Sequence, residues 1–302
     1  MNNLPKISVV TITYGHQDYI TETLDGVLMQ QYEGPVEFII ANDNSPDNTD
    51  KVVKDYLARN KIPENFEIKY TKHHENIGMM PNFIWALNQA TGKYIALCEG
   101  DDYWTDVKKL EKQICFLEGN LDFSICYHQV NQKNETGIQE YEFDLVAEQT
   151  IFNLKNLCEA NIMSTPSVVY RNISKLPDFV QNLYPGDYAL HIINAMRGKI
   201  KYIDGIMAVY RIHYQGIHST GISIENKLKF RNSLLILSNY LSENKFYVES
   251  KILKNRYIQS LTFGAGLNND SNLSVMKRLL LVLRYMPIKS KIKILLSKKR
   301  NY

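Results

Sequence analysis

The sequence has few of the features that mark a membrane protein, a disulfide scaffold or a zinc protein. No stretch approaches the roughly 18 consecutive apolar residues of a membrane span, and residues 1–6 lack the apolar core of a signal peptide. We therefore expect a cytoplasmic protein. The four cysteines form no CxxC pair, and their spacings fit neither a zinc site nor a dense disulfide framework. We expect buried free thiols in a reducing compartment at Cys98, Cys115, Cys126 and Cys158.

Acidic residues are absent from the end of the chain. Residues 276–302 contain nine lysines and arginines and no acid, whereas residues 1–275 carry 26 basic side chains against 32 acidic ones. The positive net charge therefore belongs to the tail, which argues against a nucleic-acid-binding body. Beyond Pro287, apolar residues share one helical face among lysines. The tail is predicted to lie on an anionic membrane surface, with a solvated end or packing on the acidic body as alternatives.

Glycine is scarce in the turn where a dinucleotide-binding protein would need it. Residues 14–19 follow the first predicted strand and contain a single glycine, Gly15. The GxGxxG fingerprint is therefore absent, which disfavours a dehydrogenase.

The first hundred residues alternate strand and helix patterns. The β-branched run Ile7–Thr13 is typical of a strand that is buried on both faces. The alternation predicts an α/β protein with a doubly wound, mostly parallel sheet. Strands are predicted at 7–13, 36–41, 66–70 and 94–98, and helices at 19–31, 47–59 (capped by Ser45 or Asp47), 81–90 and from 105 toward 117. Further along, strands are predicted at 124–130 and 167–170 around a polar loop at 131–137, followed by helices at 226–241, 247–263 and 274–285.

Polar side chains follow the predicted parallel strands where those strands end. In such a sheet these ends share one edge, where ligands bind. The tips are Thr13-Tyr14-Gly15, Asn42-Asp43-Asn44, His73-His74-Glu75-Asn76 and Glu99 to Asp102. Asp43 is expected either to accept hydrogen bonds from a ribose or base or to organise its own turn. Tyr14 is expected either to stack on a base or to fill a gap at the rim.

Three acids in four residues, Glu99, Asp101 and Asp102, form the most informative cluster. Carboxylates suit Mg²⁺ or Mn²⁺, which proteins usually hold by one or two carboxylates together with substrate phosphates. A helix cap explains one of these acids at most. Clustered carboxylates repel one another unless a cation or protonation relieves them.

These motifs resemble those of family 2 glycosyltransferases, which have the GT-A fold. The resemblance is close over residues 5–118 and looser to about 219. It rests on five motifs in order: Ser8-Val9-Val10-x-x-Thr13-Tyr14, Gln30-Gln31-Tyr32, Asn42-Asp43-Asn44-Ser45-x-Asp47-Asn48-Thr49, Asn76-x-Gly78 and Glu99-Gly100-Asp101-Asp102-x-Trp104. It implies a GT-A fold with a helical C-terminal extension, a nucleoside-diphosphate sugar donor and a divalent metal, Mn or Mg.

The resemblance also implies roles for individual residues in the first half. Thr13, Tyr14, Asp43 and Asn76 would bind the nucleotide sugar, Glu99 would face the ribose or the metal, and Asp101 would be the principal metal ligand with Asp102 beside it. Three positions depart from the family pattern. Glu99 stands where Asp is commoner, Asn42 replaces the first acid of an Asp-Asp pair, and no Arg precedes Asn82.

In the second half, Asp187 matches the aspartate that relatives use as the general base. The alternative for Asp187 is a cap on the helix predicted over 188–196. The Tyr210-Arg211-x-His213 string resembles a segment that folds over the donor site in relatives. Arg211 is expected to clamp the diphosphate or to form an internal ion pair. His213 is expected to bind the metal, to donate to the diphosphate or to be structural.

Taken together, these features predict an inverting, metal-dependent glycosyltransferase. Its donor would be a nucleoside-diphosphate sugar, most simply a UDP-sugar, and its acceptor a glycan or lipid-linked glycan in cell-envelope polysaccharide assembly. The predicted regions are 1–118 for the nucleotide sugar, 119–222 for the acceptor, within the same GT-A domain, and 223–302 for a helical region with the basic tail. The location is predicted as cytoplasmic or peripheral on the inner face of the membrane. The alternatives are a sugar-phosphate nucleotidylyltransferase and a non-catalytic glycan-binding GT-A protein.

Overall fold

The computed structural model describes residues 4–140, 149–173, 175–213 and 224–262. The strands are β1 (Ile7–Thr13), β2 (Val36–Asn42), β3 (Phe66–Lys72), β4 (Tyr94–Leu97), β5 (Tyr103–Trp104), β6 (Phe123–Asn134), β7 (Gly137–Glu140), β8 (Ile151–Phe152), β9 (Val169–Arg171) and β10 (Lys199–Arg211). The α-helices are α1 (Ile20–Leu28), α2 (Thr49–Arg59), α3 (Met79–Asn88), α4 (Lys109–Gly119), α5 (Leu154–Glu159), α6 (Gly186–Ala195), α7 (Ile224–Glu243) and α8 (Tyr247–Thr262).

One mixed sheet organises these elements, in the order β3-β2-β1-β4-β9-β6-β10-β5, with β7 on β6 and β8 on β10. Strands β1 to β4 are mutually parallel, and β6 runs parallel to β10. The antiparallel partners lie in the second half, where β9 joins β4 to β6. The sheet thus continues across residue 118, and the predicted α/β fold with a doubly wound parallel half is confirmed.

Helices cover both faces of the sheet because the strands are apolar on both sides. Along β1, Ile7 and Val9 join a core with helices α1, α2 and α4, whereas Val10 joins a second core with α3 and the later helices. This alternation follows from the two-residue period of a strand. Each face therefore buries its own hydrophobic layer, which fixes the register of β1 between β2 and β4.

Several local predictions were wrong in detail. Residues 131–137 are not a loop, because β6 continues through Asn134 and turns into β7 at Gly137. Their polar composition has a different cause, since Gln132 faces a cleft while the backbone of the segment pairs with β10. Helix α2 begins at Thr49 and has Asn48 at its cap position, although Asp47 does accept the Thr49 N–H. The helix after the acid cluster begins at Lys109, four residues later than predicted.

The cysteines form no disulfide, and three of the four are buried. Cys115 is exposed, contrary to prediction, because it lies on the solvent side of the amphipathic helix α4. Over the residues with described structure, no helix is long and apolar enough to span a bilayer. The basic tail and the helix predicted at 274–285 lie outside the described residues.

Candidate active site

A cleft of about 740 Å³ opens at the carboxyl edge of the parallel strands. One wall comes from the ends of β1, β2 and β4, and the opposite wall comes from the start of α6 and the end of β10. The order of the strands reverses at β1, because β2 and β3 lie on one side of it and β4 lies on the other. Open α/β sheets bind ligands at such a topological switch point. Eight of the predicted site residues line this cleft: Thr13, Tyr14, Asp43, Asn76, Glu99, Asp101, Asp187 and Arg211.

Asp43 lies at the end of β2 and is almost fully buried. Its two carboxylate oxygens accept the backbone N–H groups of Ile77 and Gly78, at 2.7 and 2.9 Å. Gly78 has φ +93°, which favours glycine, and it immediately precedes α3. Asp43 therefore organises the segment that carries Asn76, and it also faces the cleft.

The end of β1 presents one buried and one exposed side chain. The Thr13 hydroxyl is buried and has no hydrogen-bond partner among the described residues. Tyr14 is 47% exposed at the mouth of the cleft, which leaves the face of its ring accessible to a ligand. The two residues offer a polar group inside the cleft and an aromatic surface at its entrance.

The turn between β1 and α1 is clamped by the turn between β2 and α2. The backbone N–H groups of Gly15, His16 and Gln17 donate to the side chains of Ser45, Thr49 and Asp47, respectively, at 3.0 to 3.1 Å. The polar motif after β2 therefore has a structural role that its sequence did not reveal. It fixes the loop that carries His16.

The acids at the end of β4 occupy different surroundings. Glu99 and Asp101 line the cleft, whereas Asp102 is 1% exposed and its Oδ1 accepts the Arg211 N–H at 2.7 Å. Burial, together with the nearby Asp101 and Asp187 carboxylates, raises the pKa of Glu99. Burial also raises the pKa of Asp102, and its neighbours Asp101 and Glu99 add to this. Bringing this much negative charge together is costly unless a cation balances it.

Asp101 lies between two histidines. Its Oδ2 is 3.0 Å from the Nε2 of His213 and 3.9 Å from the Nε2 of His16. Burial acts to raise the pKa of Asp101, but the two rings outweigh it and hold that pKa below its usual value. The potential ligand atoms of His16, Asp101 and His213 all lie within 4.8 Å of one another, as do those of Glu99, Asp101 and Asp102. No sequence motif marked His16, although its place three residues after β1 puts it on the same rim.

Arg211 connects the end of β10 to the acid cluster. Its Nε donates to the Asp101 carbonyl at 2.8 Å, and its terminal NH2 group pairs with Glu22 on α1. The guanidinium also lies over the Tyr19 ring, 4.6 Å from its centroid. Of the two expectations for Arg211, the structure shows the internal ion pair. Glu22 and Tyr19 lie far from Arg211 in sequence, and no motif marked them.

Asp187 reaches the cleft from the first turn of α6. Its Oδ2 accepts the Thr165 hydroxyl at 3.0 Å, and its Oδ1 accepts the Tyr188 N–H at 2.7 Å. A Cβ on the preceding Gly186 would lie 2.5 Å from the Met80 sulfur, so a larger residue would have to displace the Met80 side chain where α6 packs against α3. The arrangement presents a fixed carboxylate opposite the acids of β4.

Comparison with known proteins gives a consistent picture. A sequence profile described as "Glycosyl transferase family 2" matches residues 8–174. The uncharacterized protein Rv1520 of Mycobacterium tuberculosis is 40% identical over 211 residues, which cover 70% of this chain and 60% of that protein. A Bacillus subtilis protein provisionally named as the teichuronic acid biosynthesis glycosyltransferase TuaG is 32% identical over 138 residues, covering 45% of this chain and 52% of that protein. The chain thus spans about 60% or less of the length of these relatives.

Two solved structures share the fold. S. aureus TarS (residues 1–349), in complex with UDP-GlcNAc, superposes with a TM-score of 0.64 at 19% identity, covering 93% of this chain and 80% of that one. The mannosyltransferase PcManGT from Pyrobaculum calidifontis, in complex with GDP-Man and Mn²⁺, superposes with a TM-score of 0.60 at 15% identity over the same shares. At these identities the likeness shows a common fold, and it confirms the GT-A architecture.

Proposed function

The chain belongs to glycosyltransferase family 2, and we propose that it is an inverting enzyme that transfers a sugar from a nucleoside-diphosphate sugar to a glycan hydroxyl. One observation carries the proposal. The cleft brings together the acids that follow β4 and the Asp187 carboxylate of α6, although the two lie more than 80 residues apart in sequence. A transferase of this kind needs a site for the diphosphate beside a base for the acceptor, and these two groups supply both.

The nucleoside end of the donor is proposed to bind at β1 and β2. Tyr14 would stack on the base, while the Thr13 hydroxyl, Asp43 and Asn76 would provide polar contacts. Each Asp43 oxygen has a second lone pair beyond its bond to the backbone. A UDP-sugar is the proposed donor. Two proteins of the same fold were solved with UDP-GlcNAc and GDP-Man, respectively, which supports the class of donor.

The residues present fit a divalent metal at the diphosphate end. Asp101 Oδ1 is buried and has no hydrogen-bond partner among the described residues, and such an oxygen suits Mn²⁺ or Mg²⁺. We propose Asp101 and His213 as ligands, with Glu99 facing the ribose or the metal. Asp102 is assigned chiefly to holding the backbone of Arg211, because its Oδ1 accepts that N–H. When bound, the ion would offset the charge that develops on the departing diphosphate.

Asp187 is proposed to be the general base. An acceptor hydroxyl is a poor nucleophile at neutral pH, and a carboxylate within hydrogen-bond reach takes its proton as the new bond to the anomeric carbon forms. The bond between the anomeric carbon and the diphosphate breaks on the opposite side, so the configuration inverts. The hydrogen bonds from Thr165 and the Tyr188 N–H fix the Asp187 side chain for this step.

The donor assignment can be tested by thermal shift with a panel of nucleotide sugars in the presence of Mn²⁺. At 100 times its Kd, a ligand adds about 2.7 kcal/mol of apparent stability. We expect at least one UDP-sugar to raise the unfolding temperature and Tyr14→Ala to weaken its binding, since stacking on an aromatic side chain contributes about 1–3 kcal/mol per base. Tyr247→Ala, an exposed tyrosine on α8, is the matched control. If no nucleotide sugar binds, the proposed function is wrong.

Turnover then separates the alternatives. Release of nucleoside diphosphate from the bound donor, with a product of inverted configuration, is the expected result. Formation of pyrophosphate from a nucleoside triphosphate and a sugar phosphate would identify a nucleotidylyltransferase instead. Donor binding without turnover on any acceptor or on water would identify a non-catalytic protein.

The acceptor is proposed to be a glycan or lipid-linked glycan at the cytoplasmic membrane surface. TuaG, whose provisional name places it in teichuronic acid biosynthesis, supports the envelope setting, and the cluster of basic residues at 289–300 suits an anionic bilayer. Deleting residues 287–302 should abolish sedimentation of the protein with anionic vesicles. The deletion should not change its sedimentation with neutral vesicles. Unchanged sedimentation would exclude the tail as a membrane-binding segment.

A further inference from the structure

The proposed function gives no role to His16, which lines the cleft beside Asp101. It faces Asp101 together with His213, and the His16 and His213 rings meet edge to face with their centroids 6.1 Å apart. The Nδ1 of His16 is buried and has no hydrogen-bond partner within the described part of the chain. The nitrogen that faces Asp101 is the other one, Nε2, and its 3.9 Å separation from Asp101 Oδ2 is too long for a hydrogen bond but short enough for one ion to bind both atoms.

The surrounding structure holds His16 in place from three directions. Its N–H donates to Thr49, while its carbonyl accepts the N–H groups of Tyr19 and Ile20 at the start of α1. A Cβ on Gly100 would lie 2.9 Å from the His16 Nδ1, so the glycine between Glu99 and Asp101 leaves room for the ring. A site whose residues are fixed before the ligand arrives binds more tightly, because little ordering remains to be done.

His213 is fixed equally well. Its ring packs against Tyr19, with centroids 4.7 Å apart, and the Tyr19 ring in turn lies beneath the Arg211 guanidinium. Glu22 anchors that guanidinium from the side of α1. Helix α1 and its preceding turn thus support both histidines on either side of Asp101.

From this geometry we propose that His16 is a third protein ligand of the divalent metal, completing a site of two histidines and one carboxylate with Asp101 and His213. This inference rests on the metal site of the proposed function. Two ligand atoms that bind one ion at roughly 2.1 Å lie no more than about 4.2 Å apart. The observed 3.0 and 3.9 Å separations from Asp101 meet this limit, and the separations within the triad are at most 4.8 Å, so the side chains need to close by less than an ångström.

Two properties distinguish such a site from one built on carboxylates alone. Three protein ligands hold the ion without help from a diphosphate, so the metal binds before the donor and leaves open positions for phosphate oxygens. Imidazole nitrogens also favour the later transition metals over Mg²⁺, which prefers oxygen. The expected order of affinity is therefore Co²⁺ above Mn²⁺ and Mn²⁺ well above Mg²⁺.

The test measures Co²⁺ binding to the full chain in the absence of nucleotide. Calorimetry gives the affinity and stoichiometry, and the visible absorption of the bound Co²⁺ reports its ligands. Wild type should bind one Co²⁺, and His16→Gln should weaken that binding by tenfold or more and change the spectrum. Even the mutation of a residue that only hydrogen-bonds to a metal ligand typically lowers metal affinity about 10–100-fold. His74→Gln, an exposed histidine after β3, is the matched control and should bind like wild type. Asp101→Asn should abolish binding.

The outcomes separate this inference from the proposed function. If His16→Gln binds Co²⁺ with wild-type affinity and spectrum while Asp101→Asn does not bind it, the metal site stands and His16 is not a ligand. If wild type binds no metal without nucleotide, the inference fails even where donor turnover is observed. If Co²⁺ binds through His16 but no nucleotide sugar does, the site stands and the proposed function fails.

Discussion

Lys109 provides a sharp test of the packing behind the acid cluster. Its side chain is fully buried beneath the Trp104 ring, with Nζ 4.1 Å from the ring centroid, and its one hydrogen bond among the described residues is to Gln113 Oε1 at 2.8 Å. Burial lowers the pKa of Lys109 to about 7. The Trp104 ring, two residues after the acid cluster, therefore packs on a lysine whose pKa lies near neutral pH.

The size of the effect follows from linkage. The pKa of a lysine in an unfolded chain is about 10.4. Above pH 7 the unfolded chain therefore still binds a proton that the native protein has released, so the free energy of unfolding rises with pH. Each pKa unit corresponds to about 1.36 kcal/mol. Between about pH 6 and pH 8.5 the native lysine passes from mostly charged to mostly neutral. This change should raise the free energy of unfolding by about 2 kcal/mol relative to a chain without Lys109.

Lys109→Met removes this dependence. It also leaves Gln113 Oε1 without its donor, which costs about 1–3 kcal/mol at every pH. Between about pH 6 and pH 8.5, the unfolding free energy of the variant should therefore fall by about 2 kcal/mol relative to that of wild type. The variant is most stable relative to wild type at pH 6. Urea denaturation at several pH values measures it, and Lys108→Met, on the exposed side of the same segment, is the matched control. Parallel profiles for Lys109→Met and wild type would show that Lys109 does not lose its proton between about pH 6 and pH 8.5 in the folded protein.

Three further predictions concern the fold and the rim of the cleft. Burial acts to raise the pKa of Glu37, but hydrogen bonds, led by the one from Lys69, hold that pKa well below its usual range. The stability that the Glu37 carboxylate contributes is therefore present above about pH 4 and is lost in acid. Glu37→Gln should cost about 3 kcal/mol at pH 7 by denaturant titration, with the gap closing toward pH 3; a constant gap would contradict this. Gly100→Ala places a methyl group 2.7 Å from Thr13 and should cost about 1–3 kcal/mol and weaken nucleotide binding; unchanged binding by calorimetry would argue against the cleft as the donor site. Asn153→Ala removes the capping box of α5 and should cost about 1 kcal/mol of unfolding free energy, whereas no loss would mean that the cap does not form in solution.

The parallel half of the fold could be predicted from the sequence because local pattern and burial agree there. The run Ile7–Thr13 is β-branched and buried on both faces, and β1 has the predicted bounds. The polar side chains of residues 131–137 predict a loop, but residues 131–134 belong to β6, and a strand that borders a cleft is also polar on one side. Composition alone does not separate these two cases.

The site could be predicted only where a residue follows a strand. Asp43 and Asp101 are visible in that way, since the carboxyl ends of parallel strands share an edge. The partners that decide their roles are distant in sequence: Arg211 meets Glu22 across 189 positions, and His213 meets Asp101 across 112. Such contacts depend on the order of strands in the sheet, which no single motif encodes.

The role of Asp187 as general base is tested by comparing donor affinity and turnover in Asp187→Asn. Nucleoside diphosphate release is measured beside the donor Kd in the same preparation, with Asp178→Asn, an exposed aspartate nearby in sequence, as the control. We expect an unchanged donor Kd and a fall in turnover of about 10²–10⁴-fold, the usual contribution of a general base. Near-normal turnover in Asp187→Asn, with the donor bound as tightly as in wild type, would contradict this role.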